Sequence, residues 1–135
     1  AIRTADVAKR QRIPKKYLEQ ILLLFKREGI LRSKPGLHGG YMLARPAGQI
    51  TMADVVRTVD GPLAPVRCVS LTAYAPCTCP HEEICPLRAV WQQARTAMAQ
   101  VLERVTLAEV AQRGRELGYL SAIGSAGPVK SETDQ

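Results

Sequence analysis

The 135-residue sequence is poor in aromatic residues and has no long hydrophobic run. Phe, Trp and Tyr make up 4% of it, which argues against a strand-rich core. The longest run of large apolar residues, Ile21 to Phe25, is far shorter than the ~20 residues that a membrane-spanning helix needs, and no charged-then-apolar leader opens the chain. Because one domain averages about 150 residues, we expect one domain, with or without an appendage. We also expect the protein to be cytoplasmic and to make no membrane contact.

Cysteine is missing from most of the chain, because all four cysteines lie between Cys68 and Cys85. The disulfide frameworks of secreted proteins scatter their cysteines, so this clustering indicates a metal or redox site. The two histidines lie in unrelated segments, and the sequence shows neither paired carboxylates nor a nucleophile matched to a base. An enzyme, either a redox protein cycling Cys77 and Cys79 or a metal-dependent hydrolase, is therefore disfavoured.

Acidic residues are scarce in the first third of the chain, which is strongly basic. Residues 1–50 contain eleven Lys or Arg and three Asp or Glu, a net charge of +8, whereas the rest of the chain carries −1. Basicity confined to one segment is typical of a part that meets a polyanion such as nucleic acid. A solvated surface that only improves solubility is the other interpretation, so local structure has to decide between them.

The basic segment begins with the pattern of two helices separated by a turn. Thr4 is a good N-cap for a short first helix, and Pro14 suits the first turn of a second helix that ends at Gly29. The second helix has one apolar face and one polar face. Its apolar face consists of Tyr17, Leu18, Ile21, Leu22 and Phe25.

A hairpin and a third helix follow. Residues 30–33 and 41–44 can pair around a glycine-rich tip, and a helix starts at the N-cap Thr51, with Asp54 completing a capping box, and ends near Gly61. The order helix, turn, helix, hairpin, helix predicts a mainly α-helical winged helix-turn-helix domain, with a small β-hairpin wing, in residues 1–61.

The composition of residues 62–86 predicts a long sensor loop, because this segment is rich in proline, contains every cysteine and shows almost no periodicity. Residues 87–120 read as dimerisation helices, the last of them opened by a capping box of Thr106 and Glu109. The first of these helices has a heptad seam about 28 Å long, which favours a partner helix over simple coverage of its own core. The seam is Leu87, Trp91, Ala94, Met98, Val101 and Val105. We expect a disordered tail in residues 121–135.

The candidate DNA contacts lie on the second helix and the wing. Lysines near a helix N-terminus can reach phosphates, while Gln can address adenine and Glu can accept from cytosine in a major groove. The alternative is that these residues are merely the solvated face of an amphipathic helix. The glycine-rich wing allows close approach to phosphates and therefore favours contact. The predicted set is Lys15, Lys16, Tyr17, Glu19, Gln20, Ser33, Lys34, His38 and Gly39.

The cysteine spacing, C-x8-C-x-C-x5-C, lacks the C-x2-C knuckle of ordinary structural zinc. Iron–sulfur clusters are held by thiolates on irregular loops, so a cluster is favoured. A metal-free thiol switch and a zinc site stay open as alternatives. His81 lies in the same loop and could act as a ligand, although a lone loop histidine is more often solvated.

Many residues between positions 4 and 110 match one family in order. They are Ile13-Pro14, Tyr17 to Leu22, Gly29 to Leu31, Ser33, Gly39 to Tyr41, Leu43 to Arg45, Ile50-Thr51, Cys68, Cys79, Cys85 to Arg88, Trp91 and Thr106 to Ala108. In this order they resemble the Rrf-type bacterial transcription regulators, which include the iron–sulfur cluster regulator IscR and the nitric-oxide-sensing repressor NsrR.

The resemblance implies a homodimeric winged-helix DNA-binding protein, and in many members an iron–sulfur cluster on three cysteines before the dimerisation helix. Here the implied cluster ligands are Cys68, Cys79 and Cys85, with Cys77 as the alternate to Cys79. The fourth ligand stays open.

The chain also departs from the family pattern. The family's opening helix, upstream of Thr4, is absent, so we expect an N-terminal truncation that removes a possible fourth ligand. Arg12 stands where a turn glycine is usual, Pro35 where the wing often has an arginine, and Arg88 where one branch has a histidine ligand; Cys77 is additional.

We therefore expect a homodimeric transcription repressor that binds a palindromic operator in double-stranded DNA. The cysteine loop is expected to sense iron–sulfur, redox or nitric-oxide status through its cluster, and loss of the cluster to shift the two reading helices. The alternatives are a cluster-free regulator that uses thiol chemistry and a protein–protein adaptor that has lost DNA binding.

Overall fold

The computed structural model describes residues 1–78 and 80–124, and this part of the chain is mostly helical with one two-stranded sheet. The elements are α1 (Thr4–Gln11), α2 (Lys15–Arg27), β1 (Leu31–Lys34), β2 (Gly40–Leu43), α3 (Met52–Asp60), α4 (Pro86–Arg104), α5 (Leu107–Glu116) and α6 (Tyr119–Gly124). Two compact units form, one from Ala1–Ala47 with the chain from Ala108 onward, the other from Gly48–Leu107. None of the described helices combines the length and the apolar character that crossing a bilayer requires.

The first unit contains the helix-turn-helix, and both helix starts differ from the prediction by one residue. The N-cap of α1 is Arg3, because its carbonyl already accepts from the N–H groups of Asp6 and Val7. Pro14 is the N-cap of α2 and not part of its first turn, since its ψ of 131° is extended while its carbonyl accepts from Leu18 N–H. The carbonyl that starts each helix belongs to the N-cap residue, which sequence patterns locate only to within a residue or two.

The turn between α1 and α2 is made by Arg12 in the left-handed conformation, with φ 54° and ψ 44°. Among the described residues it is the one non-glycine residue with a positive φ. The amide of the next residue, Ile13, donates back to the Ala8 carbonyl at 3.1 Å and closes the turn. Helices α1 and α2 pack against each other, and Ala8 and Leu18 are their buried residues.

The wing is an antiparallel hairpin in which Leu31 pairs with Leu43 and Lys34 with Gly40. Both strands lie within a residue of the predicted ranges. A third backbone segment, which the sequence did not reveal, joins the hairpin: Ile2 and Tyr41 exchange two hydrogen bonds of 2.8 Å. Gly40 is needed for this approach, because an added Cβ would overlap the Ile2 carbonyl.

The second unit is built on α3 and α4. The predicted capping box is confirmed, with Asp54 N–H donating to Thr51 Oγ1 and Thr51 N–H to Asp54 Oδ2, and the helix ends at Gly61 as expected. Helix α4 packs on α3, and an ion pair of 2.7 Å joins Arg57 to Glu103.

Helix α6 corrects the expectation of a disordered tail for residues 121–124, which are helical. Tyr119 Oη donates to Gln11 Oε1 at 2.9 Å, a contact over 108 positions that the local composition could not reveal. Residues 125–135 of the expected tail lie outside the described residues. The second compact unit contains both α3 and α4, whereas residues 1–47 belong to the first unit. The predicted division of the chain into segments 1–61, 62–86 and 87–120 stays a prediction.

We predict that Arg12→Gly stabilises the protein, because glycine adopts the left-handed turn without a Cβ clash. After the entropy that glycine adds to the unfolded chain, the free energy of unfolding should rise by about 0.5–1 kcal/mol in a urea titration. The matched control is Arg10→Gly inside α1, which should lower the stability by about 1 kcal/mol. Equal destabilisation by both variants would contradict this account of the turn.

Candidate nucleic-acid interface and cysteine-rich loop

The N-terminal half of α2 presents a polar face to solvent. Lys15, Lys16, Glu19 and Gln20 are all exposed, whereas Leu18 between them is buried. The Lys15 ammonium lies 3.9 Å from the Glu19 carboxylate, but exposed pairs of this kind are weak, so both groups remain available to a partner. No acidic residue occupies the first turn, which leaves the positive end of the helix dipole uncompensated by the chain.

Tyr17 belongs to this exposed face as well. The spacing places it beside the apolar residues of α2, yet the structure leaves it 58% exposed. Its ring is therefore available to a partner as an apolar or hydrogen-bonding contact. All five candidate residues of α2 are thus exposed.

The wing places three of its four candidate residues at the surface. Ser33, Lys34 and His38 are exposed, whereas Gly39 is buried inside the tip. Gly39 N–H donates to the Gly36 carbonyl at 3.0 Å, and a Cβ at position 39 would overlap the Lys34 carbonyl. Gly39 therefore shapes the tip, and its exposure does not support a direct contact with DNA.

Further exposed cations lie in the same unit and were not singled out as candidates from the sequence. They include Lys9, Arg10, Arg12 and Arg32. Residues that are only solvated and residues that contact DNA are both exposed in the free chain, so exposure does not distinguish the two interpretations. The sequence did show that cations are concentrated in this part of the chain, because residues 1–50 carry a net charge of +8.

The cysteine-rich loop arranges three thiols around one cavity of about 190 Å³. Cys68 lies in a short 3-10 turn, Arg67–Val69, and Cys85 is the N-cap of α4. Cys77 comes from the intervening loop, and Trp91 closes the wall from α4. Each of the three cysteines is half-buried, while Cys79 lies outside the described residues.

Two arginines of α4 hold the first part of this loop. Arg88 donates from Nε and Nη2 to the Cys68 carbonyl, both at 3.3 Å, and Arg95 donates from Nη1 to the Val69 carbonyl at 2.7 Å. The Arg88 guanidinium also lies 3.9 Å from the Glu82 carboxylate. These contacts could not be predicted from the sequence, because a backbone carbonyl acceptor leaves no trace in the residue types.

Tyr74 extends the same network at the surface of the loop. Its hydroxyl donates to Glu82 Oε1 at 2.7 Å, and this hydrogen bond raises the pKa of Tyr74 above its ordinary value. Glu82 therefore connects Tyr74 to Arg88 and, through Arg88, to the Cys68 carbonyl. Side chains of the protein itself thus link three parts of the loop.

The donor atoms fit an iron–sulfur cluster in chemical type, since soft thiolates are its usual ligands and a fourth thiol, Cys79, lies in the same loop. Among the described residues, no three His, Cys, Asp or Glu side chains are placed to hold one metal ion. The described positions alone therefore do not complete a ligand set. His81, the other candidate ligand, is exposed.

Helix α4 also carries an exposed apolar face, of which Leu87 and Trp91 line the cysteine cavity as well. Leu87 is 66% exposed, Val101 is 61% exposed, and Val90, Trp91 and Ala94 between them are exposed as well. We name these five residues the α4 seam. The predicted seam members Met98 and Val105 are half-buried.

The model of the family described as Rrf2, iron-dependent transcriptional regulator, matches residues 1–113. The chain belongs to the Rrf2 family. The resemblance predicted from the sequence is therefore confirmed. The class of function that this description supports is transcriptional regulation.

Several relatives of this Rrf2 protein are similar over most of the chain. An Rrf2-like helix-turn-helix regulator of Rhodobacter capsulatus is 33% identical over 121 residues, which cover 89% of this chain and 81% of the relative. A helix-turn-helix regulator of Mycobacterium tuberculosis is 43% identical over 110 residues, covering 82% of this chain and 66% of the relative. The chain thus spans about two thirds of the length of the mycobacterial protein.

Solved structures confirm the predicted winged-helix fold of the Rrf2 chain. CymR of Bacillus subtilis, described as the global cysteine regulator, superposes with a TM-score of 0.66 at 26% identity, covering 83% of this chain and 78% of CymR. The IscR of T. potens gives the same TM-score at 24% identity, covering 89% and 78% of the two chains, and supports the fold alone.

Proposed function

We propose that this Rrf2 regulator is a homodimeric repressor that reads a palindromic DNA operator with α2 and the wing, and that its cysteine loop senses iron–sulfur, redox or nitric-oxide status. The observation that carries the DNA-reading part is the exposed basic surface of the first unit, which includes Lys15, Lys16 and Lys34. A DNA partner implies a cytoplasmic location in a bacterium.

On this proposal, α2 enters the major groove with its N-terminal half. Lys15 and Lys16 bind phosphates, Gln20 pairs with an adenine edge, and Glu19 accepts from a cytosine amino group. Ser33, Lys34 and His38 of the wing contact the neighbouring backbone. The phosphate contacts supply affinity, while Glu19 and Gln20 supply specificity.

The α4 seam is the proposed dimer interface. One face of α4, which carries Arg88, Arg95 and Glu103, is occupied by contacts within its own unit. The seam is a different, apolar face that a second copy of α4 would cover, because heptad-spaced apolar residues pack against a like helix. A two-fold dimer presents two copies of α2, which accounts for a palindromic site.

The cysteine loop is the proposed sensor. Cys68, Cys79 and Cys85 would hold an iron–sulfur cluster, with Cys77 as the alternate to Cys79, and a bound cluster supplies chemistry that oxidants and nitric oxide attack. Arg88 and Arg95 hold the Cys68 segment on α4 through hydrogen bonds to the Cys68 and Val69 carbonyls. A change at Cys85 acts directly on the start of α4 and so on the seam beside it.

Cluster-free thiol chemistry is the second candidate for the sensor. It is supported by three half-buried thiols that line one cavity. The structural relatives include an oxidised form of Staphylococcus aureus CymR, with a TM-score of 0.62 at 27% identity. Both candidates use the same cysteines, so metal content separates them.

We predict that Lys16→Ala weakens DNA binding uniformly and lowers the slope of log affinity against log salt by about 0.9, the value for one phosphate contact. Gln20→Ala should instead relax specificity at one base pair by about 1–3 kcal/mol. Fluorescence anisotropy on duplexes at several salt concentrations measures both effects. Arg104→Gln, which removes an exposed charge from α4, is the control and should leave the slope unchanged. Absence of any duplex binding at low salt would favour the protein–protein adaptor.

We predict that the protein purified without oxygen shows visible absorption with stoichiometric iron and sulfide. Cys79→Ala or Cys85→Ala should abolish the colour and the response of DNA binding to oxidants, because each removes a ligand. Cys77→Ala separates the two assignments, because it should retain both properties if Cys79 is the ligand and lose them if Cys77 is the ligand. Colour and response that survive in the Cys79 and Cys85 variants would refute this ligand set, and a colourless, iron-free protein would favour the thiol candidate.

A further inference from the structure

The second unit contains a cavity of about 280 Å³ between α3, the loop that follows α3, and α4. It is partly open to solvent, and it shares no lining residue with the cavity that the cysteines line. One water molecule takes up about 30 Å³ in the liquid, so this space corresponds to roughly nine waters. The cavity is therefore large enough for a small organic molecule.

The cavity lies on a face of α4 that the α4 seam does not use. Arg95, Ala99 and Glu103 line it and are spaced four residues apart, so they form one row along the helix. With about 3.6 residues per turn, this row lies roughly opposite Ala94 and Val101 of the seam. A second copy of the chain packed on the seam would therefore leave the cavity accessible.

Arg95 brings a positive charge to the cavity without an acidic partner among the described residues. Its side chain is half-buried, and Nη1 donates to the Val69 carbonyl, a neutral acceptor, at 2.7 Å. Arg88, the other arginine that holds the loop, has the Glu82 carboxylate 3.9 Å away. Arg95 forms no such ion pair within the described part of the chain. Because charges withdrawn from water are normally paired, this guanidinium favours an anion from outside the chain.

The other two charged residues that line the cavity neutralise each other. Arg57 and Glu103 are both exposed, and they form an ion pair of 2.7 Å. Two arginines and one glutamate give the lining a net charge of +1. A ligand with a single negative charge matches this balance.

The uncharged lining residues indicate what the rest of the ligand looks like. Ser70 is buried, and its Oγ accepts from Ala73 N–H at 2.9 Å, so its own O–H is able to donate to a ligand oxygen. Leu63 is buried and Ala99 half-buried, and both give the wall apolar surface. A short carbon chain that carries one carboxylate and one hydrogen-bonding group fits these side chains.

We propose that this cavity binds a small organic acid, a monocarboxylate of about three to six carbon atoms, whose carboxylate pairs with Arg95. The ligand joins residues 70–72 to α4, beside the hydrogen bond from Arg95 to Val69. It thereby fixes the part of the cysteine-rich loop that follows Cys68. The site goes beyond the proposed function, because binding of the acid requires neither DNA nor a cluster.

The test is a nuclear magnetic resonance titration of the isotope-labelled full chain at constant ionic strength. The probes are linear monocarboxylates of about three to six carbons, with and without a hydroxyl group, and the amide of each acid. At least one acid should bind with a Kd below about 1 mM and at least about tenfold more tightly than its amide, which lacks the charge. The shifted resonances should belong to residues 70–72 and 95–103.

Two substitutions assign the binding to this cavity. Arg95→Gln should weaken binding of the acid by about tenfold or more, because it removes the pairing charge. Ala99→Leu should abolish binding, because the larger side chain fills the space while every charge is kept. Arg104→Gln removes an exposed charge from the same helix, outside the cavity, and should bind like the wild type. Circular dichroism checks that each variant is folded.

Several results would refute the proposal. They are a panel in which no acid binds, an amide that binds as tightly as its acid, and unchanged affinity in the folded Arg95→Gln or Ala99→Leu variant. Displacement of the acid by an equal concentration of inorganic phosphate would show a site for anions in general and would also refute it. Because no duplex enters the titration, these results are independent of whether α2 reads DNA.

Discussion

A short backbone pairing between residues 50–52 and 105–107 is the constraint on which the second unit depends. Met52 N–H donates to the Val105 carbonyl at 2.8 Å, and Leu107 N–H donates to the Ile50 carbonyl at 2.9 Å. Ile50 is completely buried beside this pairing. The two hydrogen bonds fix the start of α3 to the end of α4, and the whole cysteine loop is contained in the chain between them.

Helix α4 therefore serves two roles on two faces. Glu103, Arg95 and Arg88 are spaced eight and seven residues apart, and they attach, in turn, α3, the Val69 carbonyl and the Cys68 carbonyl. The exposed α4 seam lies on another face of the same helix. A chemical change in the loop consequently acts on a helix that, in the proposed dimer, also sets the distance between the two copies of α2.

Sequence patterns predicted those features that local interactions determine. The capping box at Thr51 and the order of helices and strands were predictable because caps and periodicity are local signals. The pairing of Ile2 with the wing and the attachment of Arg88 to a carbonyl were not, since both join distant segments through backbone atoms. Tyr17 was placed on the apolar face because it lies at its edge, where tertiary packing decides exposure. The candidate α2 residues are exposed in the structure. The position of Trp91 in the wall of the cysteine cavity could not be predicted from the residue spacing.

The most direct test of the central claim is a hydroxyl-radical footprint of the full chain on a site selected from random duplexes. The account predicts two protected segments related by a dyad, on one side of the duplex, with centres about one helical turn apart, because each copy of α2 reads one half-site. A single protected segment would contradict the dimeric account, and uniform weak protection without a dyad would contradict sequence-specific reading by α2.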